Sequence, residues 1–223
     1  MKTIVVIPAF NEETTLPAVL ERVVPVVDEV IVVDDGSSDT TSQVARDGGA
    51  LVVRHVINRG LGASLGTGFA AALARGGEAI ICLDADGQHD PDDIPRFVEA
   101  LQHGADVVIG SRLLDPQGMP PQRQLANWVG NLVTFVLFGA WVTDSQSGYR
   151  AFRRRALQQI EIKTNRMEVS SEIIAETRRH GLRLVEIPIE AIYTEYSLSK
   201  GQSFIVGLKT LGKLVLRRLM SHS

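Results

Sequence analysis

Five short runs of apolar, largely β-branched residues, each followed by a polar or glycine-rich tip, constrain this chain more than any other feature. The runs are TIVVIP (3–8), EVIVVD (29–34), ALVVRHV (50–56), EAIICLD (78–84) and DVVIG (106–110), with helix-length amphipathic segments near 12–24, 39–47, 62–75 and 91–103. Strands that are apolar throughout, rather than at alternate positions, are buried on both faces. Strands separated by helices run parallel, so the pattern predicts an α/β domain with a mostly parallel central sheet flanked by helices. In open sheets of this kind ligands bind beyond the carboxyl ends of the strands. The tips PAFNEE, DDGSSD, NRGLGASLGTG, DADGQHD and GSR then gather along one edge, and a site is expected there.

A length of 223 residues suits one domain, or one domain with a small appendage. Lys and Arg total 23 against 26 Asp and Glu, without the basic surplus of a nucleic-acid-binding chain. Cys82 is the only cysteine, so no intramolecular disulfide forms; it reads as a small core residue of a protein in a reducing compartment. The opening MKTIVVIPAF has too short an apolar run for a signal peptide, and no stretch reaches the roughly 18–20 apolar residues of a membrane-spanning helix. The nearest, LVTFVLFGAWV at 132–142, is expected to be a buried helix, with a helix lying at a membrane surface as the alternative.

Two familiar nucleotide sites are excluded by spacing. Gly60, Gly62 and Gly66 are one residue too long for the dinucleotide fingerprint and lie far from the first strand, and no G-K-[ST] is present for a phosphate loop. A receiver domain would account for VVDDGS but not for a second acidic pair fifty residues on. The glycines leave two readings open, a tight turn with close helix packing or backbone approach to a phosphate.

Asp84 and Asp86 stop an apolar run one residue apart. In an extended segment that spacing points both carboxylates the same way. Such a pair suits a hard divalent ion, Mg²⁺ or Mn²⁺, that retains open positions for a nucleotide's diphosphate and neutralises charge on it as it leaves. A solvated, Asp-rich turn is the alternative.

With these motifs assembled, the chain resembles the family-2 glycosyltransferases of the GT-A fold, and within them the dolichyl-phosphate mannosyltransferase branch. The likeness covers about residues 1–200 and runs in order through VVIPAFNEE, VIVVDDGSSDTT, NRGLGASLGTGF, LDADGQHDP, VIGSR and DSQSGYRAFRR. It implies a GT-A domain over 1–203 that moves a hexose, mannose or glucose, from a GDP- or UDP-sugar to a polyprenyl phosphate, with metal assistance and inversion. The alternatives are a family-2 enzyme acting on a soluble or cell-wall acceptor, and a nucleotide-sugar-binding protein without turnover.

The resemblance also assigns roles. Pro8, Ala9, Asn11 and Glu12 would cradle base and ribose, with Asp34, Asp35 and Gly36 continuing the cradle and Arg59 approaching the diphosphate or base. Asp34 has a second reading, as a cap for a helix starting near Ser38. Asp84 and Asp86 would hold the metal with Gln88 as a third oxygen donor, and His89 would bond to the ligands rather than join them. Arg112, Arg123, Arg150 and Lys200 are candidates for the acceptor phosphate, which the planar fork of an arginine can grip through two oxygens. Asp86, Arg112 and Asp144 are expected to be catalytic, with Asp144 orienting the acceptor or taking its proton. Glu168 and Glu172 read as a solvated helix face.

The stretch TEYSLSKGQS, 194–203, keeps Ser199 and Lys200 but lacks the arginine and glycine that the branch shows ahead of them. That puts the second phosphate contact and the sugar in question, with Tyr193 and Tyr196 available to stack or hydrogen-bond. After Glu195 no acidic residue occurs, and Lys209, Lys213 and Arg217 recur every four residues against an apolar face of Leu208, Leu211, Val215 and Leu219. Residues 204–223 are therefore expected to form a basic amphipathic helix on the cytoplasmic face of a membrane, with a separate anchoring subunit conceivable.

Overall fold

The computed structural model describes residues 1–116, 121–139, 141–190 and 192. A seven-stranded sheet organises them in the order β3-β2-β1-β4-β6-β5-β7. Its strands are β1 (Thr3–Ala9), β2 (Glu29–Asp34), β3 (Leu51–Arg54), β4 (Ala79–Cys82), β5 (Val107–Ser111), β6 (Arg150–Arg153) and β7 (Leu184–Pro188). The five runs predicted from apolar continuity are all strands, and β1, β2, β3 and β4 pair in parallel, as do β5 and β7. Only β6 runs the other way, wedged between β4 and β5, with Arg150 opposite both Cys82 and Ile109. Because it is antiparallel, the turn that enters it falls at the same edge as the carboxyl ends of its neighbours.

Alternation along β1 explains the two core layers. Val5 and Ile7 face α1 (Leu16–Val23) and α4 (Ile94–Gln102), packing with Leu20, Phe97 and Leu101. Ile4 and Val6 face the other way, toward Leu65, Phe69 and Ala72 of α3 (Leu61–Ala74) and Ile173 of α7 (Val169–Arg179). Cys82 is buried in this second layer, as its apolar run implied. The remaining helices are α2 (Thr41–Asp47), α5 (Pro121–Phe138) and the single turn α6 (Arg154–Leu157).

Two expectations are revised. The first helix begins at Leu16 rather than near residue 12, because residues 11–15 are taken up by the β1 tip, and Pro17 then sits in the first turn, where its missing N–H costs nothing. The segment 132–142 is not a buried helix: it belongs to α5 and the turn beyond it, and Phe135, Val136 and Trp141 are exposed. Among the described residues no helix is long and apolar enough to cross a membrane. Lys200, Tyr193, Tyr196 and the segment 204–223 lie outside the described residues.

Candidate active site

The strand order reverses between β1 and β4: the chain builds outward through β2 and β3, then returns to lay β4 on the other side of β1. Tips on either side of such a point splay apart and leave a crevice. A small, largely enclosed cavity lies beside it, where Pro8, Asp84 and Gly148 meet the apolar side chains of Leu65, Val169 and Ile173.

On the β1 side, Asn11 adopts a positive φ of 55°, a conformation that asparagine tolerates. Its side-chain oxygen accepts from the Ser38 N–H at 2.9 Å, and its own N–H donates to Ser37 Oγ at 2.9 Å. The Glu12 N–H donates to Thr41 Oγ1, and the Glu12 carboxylate accepts from Thr15 Oγ1 at 2.7 Å. These bonds stitch the first tip to the second and hold Pro8, Ala9, Asn11 and Glu12 as one rim.

The next two acids are not where the resemblance put them. Asp34 is fully buried and accepts from the Ser37 N–H at 2.8 Å and from Ser42 Oγ. Burial opposes its ionisation, but the Ser37 and Ser42 bonds and the Arg54 charge hold its carboxyl below the usual range. It ties down the loop ahead of α2 without capping that helix, whose cap position is Thr40, and it has no surface to offer a nucleotide. Asp35 is also buried: one oxygen takes His55 Nδ1 at 2.7 Å and the Arg59 N–H at 2.9 Å, the other the Gly60 N–H at 2.7 Å. It shapes the β3 tip rather than reaching outward, while the Arg59 side chain is exposed. Gly36, at φ +77°, lies where an added Cβ would meet the Ile57 carbonyl carbon at 2.7 Å, so its closeness serves this same tip.

On the β4 side, the strand ends at Cys82 and the chain turns at Ala85, so Asp84 and Asp86 sit on a turn rather than an extended segment. Both are half-buried. His89 Nε2 lies 3.2 Å from Asp84 Oδ2, and the ring's Nδ1 is buried without a hydrogen-bond partner. Burial works against Asp84 ionising, yet the His89 bond and the charges of Arg112 and Arg150 hold it below the ordinary range. Asp86 is shifted up, first by burial and then by the Asp84 charge. Gln88 does not aim an oxygen at a shared ion as expected: its side-chain amide donates to Asp86 Oδ2 at 2.6 Å and its N–H to Oδ1 at 3.0 Å, so it orients Asp86.

Two neighbouring carboxylates, one of whose charge opposes ionisation of the other, have the chemistry of donors to a divalent cation. Among the described residues no three His, Cys, Asp or Glu side chains converge as a complete metal cage. Mg²⁺ is commonly bound through one or two carboxylates together with substrate phosphates, and the chemistry of Asp84 and Asp86 is compatible with that.

The turn 144–149 supplies the third wall. Gly148 packs so closely on Asp84 that a Cβ would land on its carboxylate. Asp144 is fully buried and gripped by Arg112 through Nε at 2.7 Å, Nη2 at 2.9 Å and the backbone N–H at 3.1 Å. Its oxygens accept all three of these bonds, so Asp144 fixes the position of the arginine. Glu186 of β7, which the sequence did not single out, accepts from the Thr143 N–H at 2.8 Å, Thr143 Oγ1 at 2.7 Å and the Asp144 N–H at 3.3 Å.

Arg150 is corrected outright as a phosphate ligand. It is 2 % exposed, and its guanidinium donates to the carbonyls of Ser145, Ser147 and Ser170 at 2.8–3.0 Å. Burial lowers its pKa, while the charges of Asp144 and Asp84 favour the cation. It holds the turn's shape from beneath. Glu172 is not merely solvated: its carboxylate accepts from the N–H groups of Lys163 and Thr164. Glu168 is half-buried at the start of α7, and Arg123 lies in the first turn of α5. His55, Glu186 and Gly148 were missed because their roles depend on partners 12 to 64 positions away.

Comparison with known proteins identifies the family and the fold. The family model described as glycosyl transferase family 2 matches residues 4–161. A UDP-N-acetylglucosamine–dolichyl-phosphate N-acetylglucosaminyltransferase of Methanococcus voltae is 32% identical over 96% of this chain and 95% of its own. An undecaprenyl-phosphate mannosyltransferase of Micrococcus luteus is 36% identical over 93% of this chain and 90% of its own. Among solved structures, glucosyl-3-phosphoglycerate synthase of Mycobacterium tuberculosis, in complex with Mn²⁺, UDP-glucose and phosphoglyceric acid, superposes with a TM-score of 0.72 at 23% identity, over 99% of this chain and 79% of that one.

Proposed function

The chain belongs to glycosyl transferase family 2 and is a glycosyltransferase of the GT-A fold; from that premise we propose that it moves a hexose, mannose or glucose, from a nucleotide diphosphate sugar to a polyprenyl phosphate. The observation that carries the reading is the placement of the Asp84–Asp86 pair and the Arg112–Asp144 fork along one sheet edge, near enough that the Arg112 charge favours ionised Asp84. A donor diphosphate and an anionic acceptor both need cationic partners, which a bound divalent ion and Arg112 would supply. The relatives' polyprenyl-phosphate acceptors support the choice of acceptor.

In this reading the rim of Pro8, Ala9, Asn11 and Glu12 receives the nucleoside, and Arg59 reaches over the diphosphate. Asp84 and Asp86 would hold Mg²⁺ or Mn²⁺, which when bound supplies the positive charge that stabilises the departing diphosphate. His89 and Gln88 keep the two carboxylates aimed. Arg112, fixed by Asp144, receives the acceptor phosphate beside the anomeric carbon, with Arg123 and Lys200 as further candidates. A phosphate oxygen is nucleophilic without help at neutral pH, so no residue need take its proton. Its attack opposite the leaving diphosphate is a single displacement that inverts the anomeric centre.

The test is transfer of label from radiolabelled GDP-mannose, UDP-glucose and UDP-N-acetylglucosamine into the organic phase, with Mn²⁺ and dolichyl or undecaprenyl phosphate in detergent. Label from a hexose donor, abolished in Asp86→Ala while the circular dichroism spectrum is unchanged, is the expected result. Label from UDP-N-acetylglucosamine alone would keep the lipid acceptor and overturn the hexose. Diphosphate release only with a soluble acceptor would overturn the lipid.

A further inference from the structure

The described side chains of helix α5 are arranged inside out. Among its described side chains, those it buries are polar: Asn131 and Thr134 are buried, and Thr134 Oγ1 lies 3.1 Å from Ser171 Oγ on α7. The residues it turns outward are apolar: Leu125 is 64 % exposed, Trp128 52 %, Phe135 43 % and Val136 71 %, with Leu132 beside them. Trp141, just past the helix, is 58 % exposed and meets Phe135 edge-on at 5.5 Å, which extends the patch. A continuous apolar face of this size on a helix that could have turned its polar residues out marks a surface with a partner.

The inward face says which partner. Asn131 donates to the Thr143 carbonyl and accepts from the Ser145 N–H at 2.8 Å, so this one side chain clamps the backbone on both sides of Asp144. The outer face is therefore continuous, through a single residue, with the turn that fixes Arg112. The sequence from 116 to 143 contains no acidic residue and one charge, Arg123, so nothing in it repels an anionic surface. Tryptophan and aliphatic side chains without carboxylates suit the boundary between headgroups and acyl chains, where an aromatic ring meets both.

We propose that the outer face of α5 docks on a lipid membrane and sets the Asp144 turn at the bilayer surface, from which a lipid-linked phosphate would enter the site; the last step rests on the lipid-acceptor reading above. Docking by this helix is independent of the basic segment 204–223. It gives Asn131 a positioning role, as the residue that joins the membrane face to the turn.

Trp128 and Trp141 are the chain's two tryptophans, so intrinsic fluorescence reports on this face alone. The full chain is mixed with vesicles of phosphatidylcholine and phosphatidylglycerol that contain no polyprenyl phosphate, with and without brominated acyl chains. The expected result is a blue shift of the emission, quenched by the brominated lipids. Val136→Asp should lower vesicle partitioning by about tenfold, the effect of withdrawing one Val-sized side chain from an apolar surrounding. Val136 is exposed in the free protein, so the variant should melt like the parent, and Leu125→Asp repeats the test at a second exposed position. Emission unchanged by vesicles would overturn the proposal. So would both variants partitioning like the parent, or tryptophans already shielded in a lipid-free dimer seen by sedimentation. Because the vesicles lack the acceptor, failure here would leave the label-transfer result standing, and failure of label transfer would leave docking standing.

Discussion

Asp34, Asp35, Asp84 and Asp86 look alike in the sequence, two pairs of acids closing two apolar runs, but the fold gives them opposite tasks. The first pair turns inward and is saturated by donors from its own chain. The second remains half-exposed, with one member's charge raising the other's pKa. The distinction predicts different phenotypes. Asp34→Asn removes a buried anion from the Ser37 and Ser42 donors and should cost about 1–3 kcal/mol of stability, the usual range for breaking a buried hydrogen-bonded group. Its folded pKa lies below the ordinary carboxylate value, so the parent's advantage is complete above the unfolded value of about 4 and shrinks as pH falls through the folded one. Urea unfolding of both proteins at pH 7 and pH 3 should show a gap that narrows in acid. A gap independent of pH, or a parent-like stability with nucleotide binding lost, would return Asp34 to the nucleotide site.

At the scale of the element, α3 settles what the glycines after β3 are for. Gly60 and Gly62 press against the backbone of Asn165 and Thr164, and a Cβ on Gly62 would strike the Thr164 carbonyl. Gly66, one turn further on, has nothing within 4 Å of an added Cβ. Gly62→Ala should therefore destabilise by about 1–3 kcal/mol through overpacking. Gly66→Ala should stabilise by up to about 1 kcal/mol, the helix-propensity difference. Thermal melts of the two variants should shift in opposite directions, and a common direction would mean that packing is not what the first glycine serves. The contrast also shows where sequence reading reaches and where it stops. β1, β2, β4 and β5 were legible because residues buried on both faces must be apolar at every position. The four residues of β6 begin and end in arginine, and nothing local says that Arg150 lies under three carbonyls rather than over a phosphate. The acids at the tips were legible as a cluster; their division into inward and outward pairs depended on Ser42, His55 and Gly60, which only the fold brings to them.

Over the whole molecule the proposed site has two halves, which the pairing of β4 with β6 holds together. In the reading proposed above, the tips of β1 and β4 would carry the donor half, and β5, β7 and the turn into β6, which the antiparallel strand brings to the same edge, the acceptor half. Gly148 touching Asp84 is one place where they join, and Glu186 braces the acceptor half from the far side. Gly148 has a φ that any residue adopts, so alanine adds only a methyl group, aimed at the Asp84 carboxylate. Gly148→Ala should weaken Mn²⁺-dependent binding of the nucleoside diphosphate by about tenfold, which corresponds to about 1.4 kcal/mol, within the range of overpacking strain. Glu186→Gln replaces an acceptor-only group with one that carries a donor, facing three donors across the Thr143–Asp144 backbone and hydroxyl. It should leave nucleotide affinity unchanged and raise the KM for polyprenyl phosphate, because it loosens only the turn that holds Asp144 and Arg112. Calorimetric titration of each variant with nucleotide, paired with initial rates against acceptor concentration, separates the two. If Glu186→Gln also weakened nucleotide binding, the halves would not be independent, and the turn would have to be counted as part of the donor site.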